Sequence, residues 1–215
     1  MLVTLNQNNS LINHFVAELR NVEIQKDRMR FRKNLERIGE IAAYEISKTF
    51  HFSPADITTP LGVATVPLMT EIPVLATILR AGLPLHQGLL NYFDMADNGF
   101  ISAYRRHHKD GSFDIHLEYV ASPDINNRIL VLSDPMLATG QSLVLTYKAL
   151  LQKGKPKHTH IVTAIASTQG IAHVQANLSE NVTIWCAAVD EELTSKSYIV
   201  PGLGDAGDLA FGIKE

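Results

Sequence analysis

Cysteine occurs once, at position 186, so no internal disulfide can form; the apolar stretch around Cys186 reads as a buried core thiol rather than a nucleophile. Positive charge is in short supply too. Lys and Arg number 19 against 22 Asp and Glu, a net charge of −3, which disfavours a nucleic-acid binder with a broad basic face. Small anionic ligands remain, since they need only a few local cations. No apolar stretch approaches the roughly 18 residues that span a bilayer. The start, Met1-Leu2-Val3-Thr4-Leu5-Asn6, lacks a basic segment followed by an apolar core. A cytoplasmic protein is the expectation. The chain has no internal repeat, no low-complexity segment and no Gly-x-x-x-x-Gly-Lys, so it is not a P-loop protein. What it does have is 46% hydrophobic residues over 215 positions, enough for one packed domain spanning 1–215.

The most informative stretch runs from Ile129 to Ser142. Ile129-Leu130-Val131-Leu132 is a continuous apolar run, as in a strand buried on both faces. Asp134 stands at its end, Ala138-Thr139-Gly140-Gln141-Ser142 follows, and Leu143, Val144, Tyr147, Leu150 and Leu151 then recur at helical spacing. A strand, an acid, a small-residue turn and a helix N-terminus make an anion cradle, because first-turn amides point outward without partners. Gly140 admits close backbone approach, Thr139 and Ser142 offer hydroxyls, and Asp134 suits sugar hydroxyls or a hydrated cation. The plainer reading, in which Asp134 and Thr139 only cap a helix, weighs equally on these residues alone.

The same grammar appears earlier. Val74–Leu79 predicts a buried strand, Arg80-Ala81-Gly82 a turn, and Leu85, Leu89, Leu90 and Phe93 a helix. The planar fork of an Arg at a strand end suits phosphate oxygens; a salt bridge to a nearby carboxylate is the alternative. Upstream, Ser10 caps a predicted helix through Leu19. A second helix is predicted over Lys26–Phe50, ended by Ser53-Pro54, with the apolar face Phe31, Leu35, Ile38, Ala42 and Ile46 left for a subunit partner. Short strands at Ile57-Thr58 and Val63–Val66 would form an accessory layer. Phe100–Tyr104 and Ile115–Val120 predict a hairpin turning at Asp110-Gly111, with basic residues Arg105 to Lys109 at its tip. Strands at His160–Ser167 and Thr183–Val189 complete a mostly parallel α/β sheet flanked by helices. His158 and His160 read as structural. Tyr198 to Asp208, with three Gly and one Pro, predicts an irregular loop whose backbone can face a planar ligand; a tail covering the core is the alternative.

Three segments carry a resemblance: Ile78-Leu79-Arg80-Ala81-Gly82-Leu83, Asp134-Pro135-Met136-Leu137-Ala138-Thr139-Gly140, and Tyr198-Ile199-Val200-Pro201-Gly202-Leu203-Gly204-Asp205-Ala206-Gly207-Asp208. In this order they resemble signatures of the uracil phosphoribosyltransferases, a branch of the type I phosphoribosyltransferases, and Ala103-Tyr104-Arg105 matches that family's Tyr-Arg position. Most relatives of the broader fold carry two adjacent acids, and Pro135 in the second place is the uracil branch's variation. Two departures stand out. Gln141 replaces a usual Gly or Asn, and Pro84-Leu85-His86-Gln87 replaces a Gly-containing segment.

The resemblance implies transfer of a phosphoribosyl group from 5-phosphoribosyl 1-pyrophosphate (PRPP) to uracil. The implied fold has a small hood, N-terminal helices over 1–50, a β-hairpin arm over 105–120 and a base-binding region over 190–215. Arg80, Arg105, Asp134, Pro135, Met136, Leu137, Ala138, Thr139, Gly140, Gln141, Ser142 and Asp205 would bind PRPP. Ile199, Gly204, Asp205 and Ala206 would bind uracil, and Asp134, Arg105 and Asp205 would carry the catalytic roles. Mg²⁺ would be held mainly through PRPP, with no direct protein ligand assigned. A homodimer or larger homo-oligomer is expected, and some members of that family respond to GTP. A purine-specific transferase and a non-catalytic nucleotide- and RNA-binding regulator are the competing readings; the Tyr198–Asp208 run argues against the first and the acidic net charge against the second.

Overall fold

The computed structural model describes residues 1–107, 113–178 and 181–213, with side chains for all but 103–107 and 113–117 of these. A short strand, β1 (Leu2–Thr4), comes first. Ser10 Oγ accepts the amide of Ile12 to open α1 (Leu11–Arg20), and Asp27 accepts that of Arg30 to open α2 (Arg28–Ser47). Helix α2 stops short of Phe50, and Ser53-Pro54, expected to end it, lies inside a strand. That strand, β2 (Phe52–Thr59), pairs antiparallel with β3 (Gly62–Met69), a longer hairpin than the pattern predicts. Pro54 faces Pro67 in it, which is tolerated because no third strand among the described residues asks for their missing N–H groups.

The main sheet begins with β4 (Val74–Leu79), at the bounds the apolar run predicts, followed by α3 (Leu83–Tyr92). Next come β5 (Asp97–His107), β6 (Phe113–Ala121) and β7 (Ile129–Ser133). A two-residue β8 (Met136–Leu137) leads to α4 (Gln141–Leu150), β9 (His158–Ser167), α5 (Thr168–Asn177) and β10 (Val182–Asp190). The strands order as β1-β10-β9-β7-β4-β5-β6, with β8 on β9; all neighbours run parallel except β5 and β6. The expected mostly parallel sheet with helices on both faces is what forms. The hairpin of β5 and β6 forms as well, although its turn at Asp110-Gly111 lies outside the described residues.

Alternation along the strands explains the two cores. Leu75 and Val131 point to the layer of α1, α2 and α3, with Leu35, Leu85 and Trp185, whereas Ala76 and Leu132 point to the layer of α4 and α5, with Leu143, Tyr147 and Val174. One expectation is overturned here. Phe31, Leu35, Ile38, Ala42 and Ile46 of α2 are buried within the chain, against α3 and the sheet, so this face is no free surface for a partner. His158 and His160 are structural, as expected: their ring centres lie 4.6 Å apart with the planes tilted by 53°, and His160 Nδ1 accepts the Trp185 indole N–H. Beyond β10, β11 (Glu192–Leu193) pairs antiparallel with β12 (Ile199–Val200), and α6 (Ala206–Phe211) follows. The Gly-rich run is therefore a loop only between these two pieces.

Candidate functional site

Three adjacent strands deliver the charged candidates to one edge. Strand β4 lies between β7 and β5, with Thr77 opposite Ser133 and Leu79 opposite Ser102. Arg80 follows β4 through a cis peptide, Asp134 follows β7, and the backbone of Arg105 lies three residues past Ser102 on β5, opposite Ile115. All three thus sit at the carboxyl ends of the strands, where ligands of open α/β sheets bind. Asp134 is held there by its backbone, whose amide donates to Val162 O at 3.0 Å. The Pro135 carbonyl accepts the amides of Ala164 and Ile165 at 3.1 and 3.0 Å, and Met136 and Leu137 pair with Ile165 and Ala166. The first half of the loop is in effect one more edge of β9.

Its second half is shaped by close backbone contact with α5. Gly140 adopts φ +77°, a left-handed conformation that favours glycine, and a Cβ there would meet Gly170 O at 2.9 Å. Ser167 Oγ accepts the Gly170 amide at 2.8 Å and donates to Ala138 O at 2.5 Å, tying the loop to the start of α5. The residue at the start of α4, Gly140, has no side chain to cap it, and the amide of Gln141 reaches Thr139 Oγ1 at 3.4 Å. The first turn of α4 therefore presents its amides beside the loop, as an anion site requires. Thr139 and Ser142 are half-buried and Gln141 is exposed, whereas the side chains of Pro135 and Leu137 are buried, leaving only their backbone for a ligand.

The C-terminal loop closes over the same edge. Asp190, at the end of β10 and 6% exposed, accepts a two-pronged bond from Arg20 at 2.7 and 2.8 Å and the amide of Gly202 at 2.9 Å. Arg20 also donates to Gly202 O at 3.0 Å. Neither residue is among the candidates read from the sequence. The signal was present in Asp190, an acid closing an apolar strand as Asp134 closes the strand β7. Ile199 and Ala206 are buried by their side chains, so they offer a ligand backbone only. Gly204, at φ +98°, is exposed, and Asp205 caps α6 by accepting the Asp208 amide at 3.0 Å. Gly207 lies against Ala81, and the Arg80 guanidinium donates to Gly212 O at 3.1 Å with Asp208 at 3.5 Å. The structure thus brings Arg80 together with the Asp205 region, and Asp134 with the loop 135–142.

A parallel sheet with an Arg and an Asp ending neighbouring strands, an uncapped helix behind a glycine turn and a loop folded back over that edge is the plan of the type I phosphoribosyltransferase fold. A hypoxanthine phosphoribosyltransferase of Staphylococcus aureus superposes with a TM-score of 0.50, 15% identity and coverage of 75% of this chain and 76% of that one, a likeness of fold alone. A solved protein structure from Aquifex aeolicus superposes with a TM-score of 0.87 at 31% identity over 99% of both chains. The family profile described as uracil phosphoribosyltransferase matches residues 6–213. The uracil phosphoribosyltransferase of Porphyromonas gingivalis is 55% identical over 213 residues, 99% of each chain. The chain belongs to the uracil phosphoribosyltransferase family.

Proposed function

We propose that the protein transfers the phosphoribosyl group of PRPP to N1 of uracil, releasing pyrophosphate and making UMP in pyrimidine salvage. The observation that carries this reading is the Tyr198–Asp208 loop, of uracil-family sequence, folded against Arg80 at the strand edge.

The bond from ribose C1 to the pyrophosphate oxygen breaks as the bond to uracil N1 forms, and the proton of N1 passes to the departing pyrophosphate. Positive charge develops on the ribose and negative charge on the leaving group, so positioning and electrostatics dominate. Arg80 and Arg105 would neutralise the pyrophosphate. The backbone amides of residues 137–142 would hold the 5-phosphate, and Asp134 the ribose hydroxyls. Ile199, Gly204 and Ala206 would read the uracil edge through backbone groups, with Asp205 orienting the base. Mg²⁺ fits this arrangement as an ion carried by the donor: it prefers phosphate oxygens plus one or two carboxylates. Asp134 and Asp205 are the candidates to reach its shell. Among the described residues no cluster of three His, Cys, Asp or Glu competes as a resident site. Bound, Mg²⁺ would neutralise charge on the leaving group.

Homo-oligomerisation belongs to the same proposal, supported now by the β2–β3 ribbon instead of α2. An isolated two-stranded ribbon is marginal in water. This one exposes Phe52, Ile57, Leu61, Val63, Val66 and Leu68, with Asp56 its single charged residue. Val63→Lys with Leu68→Lys should shift sedimentation toward the monomer; unchanged sedimentation removes the ribbon from the interface.

The reaction is tested by UMP formation from uracil and PRPP with Mg²⁺, beside cytosine, hypoxanthine and orotate. Turnover with uracil alone supports both substrate sites. Turnover with another base keeps the donor site and discards the base-loop assignment. Donor binding without turnover turns the reading to the regulator.

A further inference from the structure

Arg80 serves two masters at the strand edge. The proposed reaction gives it the donor's pyrophosphate, yet in the structure its guanidinium already donates to Gly212 O at 3.1 Å and faces the Asp208 carboxylate at 3.5 Å. Both side chains are open to solvent, 41% and 38% exposed, so the pair is a contact that a ligand can reach. Asp208 is not free-standing. It sits in the first turn of α6, its amide bonded to Asp205, the residue that precedes the helix and follows Gly204 in the base loop.

The other end of α6 is gripped independently. Arg32 of α2 donates to Ala210 O at 2.7 Å and lies over the Phe211 ring at 5.9 Å, and Asp208 O accepts the Gly212 amide at 2.8 Å. One Arg thus fixes α6 to the helical layer, while a second, Arg80, fixes it to the donor edge. The second stands at the carboxyl ends of the strands, where the donor is proposed to bind. A guanidinium has five N–H donors in a rigid fork, enough to bond a pyrophosphate on one side while keeping the carbonyl and carboxylate on the other. A bound pyrophosphate would immobilise Arg80, and with it Asp208, Asp205 and the backbone of Gly204.

We propose that Asp208 is a positioning residue through which donor occupancy, sensed by Arg80, orders the loop that receives the base. The inference rests on the proposed reaction and assigns to one contact, Arg80–Asp208, the way in which donor binding raises the affinity for uracil. By reciprocity uracil should tighten donor binding by the same factor.

Initial rates over a grid of PRPP and uracil concentrations give the factor by which saturating donor lowers the uracil KM. In the unmodified enzyme this factor should be about five or more, in the range of ordinary coupling between sites. In Asp208→Asn it should fall toward one, with kcat within about twofold and the melting temperature unchanged, because the half-exposed pair contributes little to stability. Asp208→Glu, which keeps the carboxylate, should restore part of the factor. A second readout needs no turnover: with Mg²⁺ and pyrophosphate as probe, amide exchange over residues 204–212 should slow in the unmodified protein and not in Asp208→Asn. An Asp208→Asn enzyme with the unmodified coupling factor overturns the inference, and so does exchange protection that survives the substitution. Failure of the unmodified protein to use uracil at all would instead remove the reaction on which the inference stands.

Discussion

Gly140 and Gly170 meet backbone to backbone where the loop after β7 crosses the start of α5. A Cβ on Gly140 would lie 2.9 Å from Gly170 O, and one on Gly170 would overlap the carbonyl oxygen of Ala138. The shape of the proposed 5-phosphate cradle therefore depends on a residue outside it. Gly170→Ala should cost about 1–3 kcal/mol of stability, as overpacking does, and raise the PRPP KM at least about tenfold, since a displacement of order 1 Å costs about that or more. Urea unfolding and steady-state kinetics check the two effects separately. A stable Gly170→Ala enzyme with unchanged PRPP KM would mean the loop tolerates displacement.

The Arg20–Asp190–Gly202 network makes a different claim. Asp190→Ala leaves the Gly202 amide without its acceptor and the Arg20 guanidinium without its carboxylate, Gly202 O alone remaining of its partners in this network, at a cost of about 2–4 kcal/mol. Because Gly202 begins the turn before Gly204, the uracil KM should rise several-fold while the PRPP KM changes little. Equal increases in both would point to general loosening rather than to the base loop.

Arg105→Ala tests the donor side. If Arg105 neutralises the leaving pyrophosphate, kcat/KM for PRPP should drop by about 10²-fold or more, in keeping with the loss of a charge-stabilising group. An unchanged value removes Arg105 from the site.

Acid stability should bear the mark of a buried imidazole. Burial, with His158 alongside, pushes His160 down to about 3, so it stays neutral in the fold while the unfolded chain protonates it near its ordinary value of 6.5. The unfolded state then binds the extra proton, and stability falls as pH drops from about 6.5 toward 3, by about 1.4 kcal/mol per pH unit. His160→Gln keeps an acceptor for the Trp185 N–H and removes this titration. Urea unfolding at pH 7.5 and 5.5 should show a loss smaller by about 1.4 kcal/mol in His160→Gln than in the unmodified protein. Equal losses would assign the acid sensitivity to other groups.

What could be read from residues alone was whatever local chemistry decides. Val74–Leu79 is apolar throughout because both its faces are buried, and its bounds came out as expected. Arg80 and Asp134 reached the same edge because a strand followed by a helix leaves its last residue there. Long-range chemistry stayed hidden. Nothing near Asp190 announces Arg20 as its partner, and three residues of β1 carry too little pattern to show that they join β10. Ser53-Pro54 read as a helix stop because proline disfavours helix, yet a two-stranded ribbon accommodates it equally well. The Gly-rich run concealed α6 because composition outweighed its cap, Asp205 three residues ahead of Asp208.

Strand β1 has one further consequence, in time rather than in space. Leu2, Val3 and Thr4 pair with Ile184, Trp185 and Cys186, so this strand is made well before β10, its neighbour among the described residues. A ribosome must pass Cys186 before that edge can close. Until then the far side of β10's future place stays open to other strands, and such long-range closure is slow. Yield during expression should be governed as much by how long this edge waits as by how stable the finished enzyme is.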